Sequence, residues 1–470
     1  MDSKYAVFSN LGFILQITGL LLVLPIAIGL QNGELQPVAS IIATCFIAFG
    51  AGFVLNSLCE RKELDEKTSL WLLILTFTIL PLILMIPYVW NNVFASGNPF
   101  DLFTNAYFET VSGFTTTGFS FIANAANLPA SLLFYRSLVE FIGGVGFVYI
   151  LLAFLYPNKS LDILAQTFGI DRLSDNLKKV FLSVMLIYTF FVVIFTSIFY
   201  VVYSQNLIVA SCTAIDILTG GYQPNITGGF GIFHISILVL MLLGSLNFSF
   251  NYNLFRLKIH NLITPEIKLY LGMIVVATVI VSILAWANPL DSLFNVISMA
   301  SSTGVETFSI GNSPVAARIA FIIVGLIGGC AFSMAGGIRI QRIQTIADAV
   351  RKKGDQPTRE ELKATLISIT SLIIVLMVLS LVFSTIGLSF LDSVFEVSSA
   401  ITTNGISMGI TTVGIPVGYK WLLIFAMIIG RIEIITLFKA IKGVSLRDLV
   451  SKIASSGSEA LHQLRRKLRR

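Results

Sequence analysis

Thr116, Thr219, Ser302 and Thr403 each stand two residues before a glycine, at Gly118, Gly221, Gly304 and Gly405. Each pair closes a short apolar stretch: FETVSGFTTTGFS from Phe108, CTAIDILTGGY from Cys212, LFNVISMASSTGV from Leu293 and VFEVSSAITTNGI from Val394. A Thr/Ser/Gly turn after a short helix is suited to holding a cation, because Gly permits unusual backbone angles and small side chains leave the carbonyl oxygens uncovered. Four copies imply four versions of one structural unit, and the expected product is a four-sided ion filter. Three copies also carry an aromatic ten residues before the glycine, at Phe108, Phe294 and Phe395.

The expected oxygen donors are the carbonyls and hydroxyls of Thr115, Thr116, Thr117 and Gly118 in the first turn and of Leu218, Thr219, Gly220 and Gly221 in the second. Ser301, Ser302, Thr303 and Gly304 supply the third, and Thr402, Thr403, Asn404 and Gly405 the fourth. The C-terminal end of each short helix faces its turn with a partial negative charge, which also favours a cation. One such turn alone reads as an ordinary helix end; four aligned copies reverse those odds. Beside the turns lie Glu109, Asp216, Glu306 and Glu396. Acids at membrane depth are paired or functional, so some of these are expected to hold the filter backbone or to attract cations at its mouth, with a plain interfacial position an equal reading for Glu306.

The elements that must position these turns follow from composition. The 470 residues are 55% hydrophobic and 12% charged, against roughly 25% charged for a soluble protein, which implies an integral membrane protein. Apolar runs of about 20 residues cross a bilayer. Ten candidates start near Phe8, Ala39, Ser69, Leu132, Val180, Ile232, Leu269, Ala317, Ala364 and Trp421. The filter segments are too short to span and are expected to be re-entrant, lining a cavity. The first run, Phe8 to Leu30, exceeds the 7 to 15 residues or so of a cleavable signal, and is read as a retained helix.

Alternate connections carry the basic residues: Arg61, Lys62 and Lys67, then Lys159, Arg172, Lys178 and Lys179, then Arg256, Lys258 and Lys268, then Arg351, Lys352, Lys353, Arg359 and Lys363. The opposite connections hold Arg136, Arg318 and Lys420 and little else. The positive-inside rule then predicts both termini in the cytoplasm and all four turns on the outer side. The net charge of +6 is topological and calls for no nucleic acid. Four cysteines and three histidines are scattered, suggesting neither disulfides nor a zinc site. No GxxxxGK[ST] loop and no HExxH motif is present, which disfavours a membrane enzyme. GGVG from Gly143 lies inside an apolar run, where a dinucleotide site is not expected.

The predicted fold is an all-α integral membrane protein. Two leading transmembrane helices (1–66) precede four fused repeats, each a transmembrane helix, a re-entrant pore helix, a filter turn and a second transmembrane helix, with pseudo-fourfold symmetry. Expected boundaries are 67–158, 159–262, 263–354 and 355–442, followed by a basic cytoplasmic tail, 443–470. The linker RKKGDQPTREELK from Arg351 reads as a solvated helix extension or a regulatory contact. The tail's Leu461, Leu464 and Leu468 at helical spacing suit an anionic lipid surface or a partner, and equally a solvated terminus.

Gly328, Gly329, Cys330, Ala331, Ser333, Gly336 and Gly337 interrupt the eighth run. Gly costs a helix about 1 kcal/mol per residue relative to Ala, so a loop is expected there; a kinked, closely packed helix is the other reading. Arg431 lies inside the last run, two residues before Glu433, where a buried arginine must be paired or wet. Arg136 and Glu140, one helical turn apart, are expected to pair with each other.

GFTTTGF with LLFYRSLVEFIGGVGF from Leu132, GGCAFSMAGGIRIQR from Gly328, and IIGRIEIITLF from Ile428 resemble the Trk/Ktr/HKT superfamily of cation transporters, most closely its TrkH-type potassium uptake subunits. The resemblance covers essentially the whole chain. It implies a K+ pore in the cytoplasmic membrane with Gly118, Gly221, Gly304 and Gly405 at the filter positions, glycine in all four marking the K+-selective members. Val305 and Asn404 depart from a uniform pattern. The resemblance further implies an intramembrane gating loop at Gly328–Gly337, Arg431 facing the pore, no covalent cofactor, a homodimer, and a cytosolic TrkA-type subunit through which alone nucleotide acts. A Na+-selective or Na+- or H+-coupled symporter of the same architecture is the alternative.

Overall fold

In the computed structural model the described residues are 3–58, 66–95, 97–122, 124–150, 177–222, 231–258, 262–351 and 357–432. They form helices and connecting turns, with no strand among them. The tail from Ser445, Glu433 and most of the 351–363 linker's polar start lie outside the described residues.

The chain opens with α1 (Ser3–Leu21), α2 (Val23–Gln31) and α3 (Leu35–Leu58). Gly12 and Gly52 make α1 and α3 pack closely, since a β-carbon at either would meet the backbone of the other. The first unit follows as α4 (Glu66–Leu84), α5 (Ile86–Trp90), α6 (Pro99–Phe114) and α7 (Ala130–Ile150). The second is α8 (Leu177–Tyr203), α9 (Leu207–Thr219), α10 (Ile232–Ser245) and α11 (Phe248–Phe255). The third is α12 (Pro265–Ala285), α13 (Pro289–Ser301), α14 (Val315–Ile327) and α15 (Ile340–Arg351); the fourth is α16 (Arg359–Ser384), α17 (Phe390–Ile401) and α18 (Val417–Ile432).

Seven spans are long and apolar enough to cross a bilayer among the described residues: Val7–Gln31, Leu35–Leu58, Thr68–Trp90, Ala130–Ile150, Val180–Tyr203, Pro265–Ala285 and Arg359–Ser384. The other three of the ten expected runs differ. The run from Ile232 bends by 115° between α10 and α11, because Leu246 turns extended and Asn247 caps a new helix by accepting from the Phe250 N–H at 2.9 Å. The run near Ala317 ends after 13 residues at Gly328 (φ 71°), where the glycines were expected to break it. The last run starts earlier than expected, at Val417, and is described to Ile432.

α6, α9, α13 and α17 have 16, 13, 13 and 12 residues. At 1.5 Å per residue these reach roughly 18–24 Å, short of the ~30 Å hydrocarbon core. Each starts on a side-chain cap, Asn98, Asn206, Asn288 or Ser389, that accepts a backbone N–H two or three residues on. Such caps are worth about 1 kcal/mol each. Each of these helices is polar or exposed at its start and buried through its second half, so all four point their C-terminal ends into the interior.

A candidate cation filter

Helix ends meet glycines of the following helix. A β-carbon at Gly143 of α7 would strike the Phe114 carbonyl that ends α6; Gly244 of α10 stands in the same relation to Leu218, and Gly430 of α18 to Ile401. These glycines let three of the short helices sink their ends against their units' second helices. Their regular distance beyond the filter glycines is a signal in the sequence that the motif reading passed over.

Beyond these ends the backbone enters an unusual conformation. Thr116 and Gly118 have φ of 56° and 86°, Ser302 and Gly304 57° and 77°, Thr403 and Gly405 54° and 71°. A non-glycine residue with positive φ costs about 1–2 kcal/mol, so three turns independently hold the same strained alternation at the aligned column. In the second turn Thr219 still belongs to the helix, and the positive φ falls on Gly220 at 74°.

The four turns close a ring. Gly118 abuts the Gly221 carbonyl so tightly that a β-carbon would collide with it, Gly220 does the same against Ser302, and Gly405 against Thr117. The remaining side is a hydrogen bond of 3.1 Å from Ser302 Oγ to the Thr402 carbonyl. All sixteen expected filter residues are therefore gathered in four consecutive, mutually touching turns, and all are buried. Three turns are braced internally by a contact between side chains two apart: Thr115 with Thr117 at 2.7 Å, Ser301 with Thr303 at 2.7 Å, and Asn404 Nδ2 to Thr402 Oγ1 at 2.8 Å. Leu218 and Gly220 cannot make this bond. Thr116 Oγ1, Thr403 Oγ1 and Asn404 Oδ1 are buried oxygens with no hydrogen-bond partner among the described residues. A dehydrated cation needs such oxygens.

The flanking acids sort into two kinds. Glu109 accepts from the Phe121 N–H and the Ser120 hydroxyl, both at 2.9 Å, and from Arg136 Nε at 3.0 Å. Glu396 accepts from the Ser407 hydroxyl at 2.6 Å, the Met408 and Thr411 N–H groups at 3.0 and 3.1 Å, and the Thr411 hydroxyl. Asn295, which the sequence reading did not single out, does the same in the third turn through the Thr307 N–H at 2.9 Å. Glu109 and Glu396 thus hold backbone. Asp216 and Glu306, the latter also accepting the Ile310 N–H at 3.1 Å, line a cavity of about 480 Å³ that also reaches Gly118, Gly405 and Arg136.

The expected Arg136–Glu140 pair is not formed. Arg136 reaches across to Glu109 and lies 3.3 Å from the centroid of the Tyr222 ring. Glu140 receives the Thr219 hydroxyl and, at 3.1 Å, the Tyr222 N–H. Both are on one helix, but their partners across the interface are stronger than an i,i+4 contact. Arg318 and Lys420 are likewise absorbed: Arg318 pairs with Asp392 at 2.7 Å, and Lys420 Nζ donates to Asn105 Oδ1 and the Val413 carbonyl, both at 2.7 Å.

On the other face of the ring, residues 328–339 leave the helix and fold against the turns. Gly336 N–H donates to Ser302 Oγ at 3.0 Å, and a β-carbon on Gly336 would strike the Thr402 carbonyl. Cys330 and Met334 N–H groups donate to the Ser245 and Gly244 carbonyls, both at 3.0 Å, and Phe248 N–H donates to the Phe332 carbonyl at 3.1 Å. The break in the second unit is thus the berth of this loop. Glu266, also not foreseen, accepts from Ala331 N–H at 2.7 Å. Arg431 is buried, donates from Nη1 to the Met334 carbonyl at 2.7 Å, and lies 4.2 Å from the Phe147 ring centroid. Its Nε and Nη2 have no hydrogen-bond partner among the described residues; Glu433, two residues on, lies outside them.

Residues 162–442, more than half of the chain, match TrkH, a family described as cation transport protein. The chain belongs to the TrkH family. It is therefore a membrane transporter of cations and not an enzyme. An uncharacterized cation transporter of Methanocaldococcus jannaschii is 28% identical over 72% of this chain and 71% of its own length. The Trk system potassium uptake protein TrkH of Salmonella typhimurium is 24% identical over 64% of this chain and 66% of its own. The crystal structure of the potassium transporter TrkH from Vibrio parahaemolyticus superposes with a TM-score of 0.77, covering 93% of this chain and 98% of that one at 20% identity. The TrkH fold is shared over 93% of the chain.

Proposed function

We propose that this TrkH-family chain carries K+ across the cytoplasmic membrane, with the cavity of about 480 Å³ as the outer mouth and the ring of four turns as the selectivity filter. The closed ring is the observation that carries the reading: four re-entrant turns touch in sequence, with buried hydroxyls and tight backbone approaches at Gly118, Gly220 and Gly405. A partly dehydrated ion exchanges water oxygens for these carbonyl and hydroxyl oxygens. K+ is the ion named for the potassium uptake relatives. Glycine at all four filter positions agrees with that choice.

The loop from Gly328 to Gly337 serves as the gate, since it fills the path directly beyond Ser302 and Thr402, with Arg431 fastening it through the Met334 carbonyl. The four pore repeats run over 67–158, 159–262, 263–354 and 355–442, and both termini are cytoplasmic by the distribution of Lys and Arg. A second copy of the chain and a cytosolic nucleotide-binding regulatory subunit complete the working assembly; these rest on the family resemblance. The irregular second turn favours one further reading, a Na+-permeable or Na+-coupled carrier, because one wall of the ring lacks the bracing of the others.

Uptake of radiolabelled Rb+ into proteoliposomes with Na+ as competitor tests both. Selective uptake is expected, and Gly118→Ser should weaken the preference by about tenfold, equivalent to ~1.4 kcal/mol, since Gly118 has a φ of 86° and no room for a β-carbon. Equal competition by Na+ and K+ in the wild type would favour the second reading, and an unchanged preference in folded Gly118→Ser would remove the filter assignment.

A further inference from the structure

Three of the four turns are strapped from within their own unit. A side chain nine residues before the filter glycine, Glu109, Asn295 or Glu396, accepts the backbone N–H twelve residues after itself: Phe121 at 2.9 Å, Thr307 at 2.9 Å and Met408 at 3.0 Å. The second unit cannot build this strap. The corresponding residue is Cys212, and twelve residues later stands Pro224, which has no N–H to donate. The internal brace between side chains two apart is missing as well, because the positions are Leu218 and Gly220.

A side chain from the neighbouring unit takes over. Glu140 of α7 receives the Thr219 hydroxyl on one side of the two glycines and the Tyr222 N–H at 3.1 Å on the other. It is fully buried, and it stands so close behind Gly221 that a β-carbon there would run into the carboxylate. Arg136 is engaged with Glu109 and leaves Glu140 to this one task. The two contacts span the turn as a bracket does, fixing the distance between its ends.

We infer that Glu140 is the positioning residue that sets the second filter wall, and with it the discrimination between K+ and a smaller monovalent cation. The inference rests on the filter reading above. Without Glu140 the buried Tyr222 N–H loses its acceptor and the Thr219 hydroxyl keeps only the Ile215 carbonyl of its own helix, at 2.8 Å, so a turn with neither strap nor brace relaxes toward the ion. A relaxed wall accommodates a smaller ion, so the loss falls on selectivity before it falls on uptake.

The test is Rb+ uptake in proteoliposomes with Na+ as competitor, on the full-length chain and three variants checked for monodispersity. Glu140→Ala is expected to lose the preference for Rb+ over Na+ by about tenfold while retaining Rb+ uptake. Glu140→Gln keeps an acceptor for the Tyr222 N–H and an amide that the Thr219 hydroxyl can accept, so its preference should stay within about twofold of the wild type. Glu140→Asp withdraws the carboxylate by one methylene and should resemble the alanine variant. A folded Glu140→Ala with the wild-type preference overturns the inference, as does a Gln variant that fails while Asp succeeds, which would mark charge and not contact as the requirement. Should the alanine variant not fold, the Gln and Asp variants decide the same question. A wild type without Rb+ preference would instead sink the K+-selective reading, and this inference with it; a selective wild type with unaffected variants sinks the inference alone.

Discussion

Glu306, in the segment after the third turn, accepts the Ile310 N–H at 3.1 Å and lines the cavity above the ring. Burial pushes its carboxyl up from 4.5 to about 7, against the smaller opposing effect of that hydrogen bond. It is therefore negative above about pH 7 and neutral below. Cation uptake at low ionic strength should fall between pH 8 and pH 6 as the charge is lost, and Glu306→Gln should flatten that part of the profile; a profile identical in both would show that the carboxylate does not draw cations. The stability effect has the opposite sign. The folded protein holds this proton more tightly than the unfolded chain, so the contribution of Glu306 declines as pH rises from about 4.5 to about 7 and is level above. At this scale the sequence singled out the acids beside the turns and left their roles open. Glu109 and Glu396 became backbone clamps because both have donors twelve residues on, a relation shared by three turns and plain only once Asn295 is seen in the same place. The Arg136–Glu140 pairing failed because helical spacing reports proximity along one surface and says nothing of the Tyr222 and Glu109 groups that face it.

Among the elements, the short capped helices were legible because Asn-Pro and Ser caps and Thr/Gly ends mark their boundaries in the chain. The interruption at Gly328 was legible for a similar reason, since two Gly pairs within ten residues are hard to keep helical. The bend at Leu246 was not: its marks, the Gly244–Ser245 pair and the Asn247 cap, lie inside an otherwise continuous apolar run and were passed over. Its purpose is visible in the partner, as Ser245 and Gly244 carbonyls freed by the bend accept the loop's N–H groups. Removing Cys330 to Ala335 deletes the segment bound by Glu266 and Arg431 and should raise basal Rb+ leak; an unchanged leak in folded protein would count against a gate there. Gly430→Ala places a methyl against the Ile401 carbonyl. Overpacking of this kind costs about 1–3 kcal/mol, so a lowered thermal midpoint in detergent is expected, and an unaltered one would mean that α18 shifts without cost.

For the whole molecule, orientation rests on the Lys and Arg distribution and can be read directly. With Cys45, Cys59, Cys212 and Cys330 replaced, Asn312→Cys, exposed beyond the third turn, should react with an impermeant maleimide on intact cells, and Lys258→Cys, exposed at the opposite end, only after lysis. The reverse pattern would invert the topology. Pseudo-fourfold organisation was legible from repetition alone; the inequality of the second wall was also written in Leu218, Gly220 and Pro224 but was passed over, and the backbone adds that the short helix there runs on to Thr219, into the aligned column itself. Fusion of unequal units has a consequence for how this pore can change. In an assembly of identical subunits one codon alters every wall at once; here each codon alters a single wall, so selectivity can drift in quarter steps, and a substitution too severe to survive in four copies can persist in one.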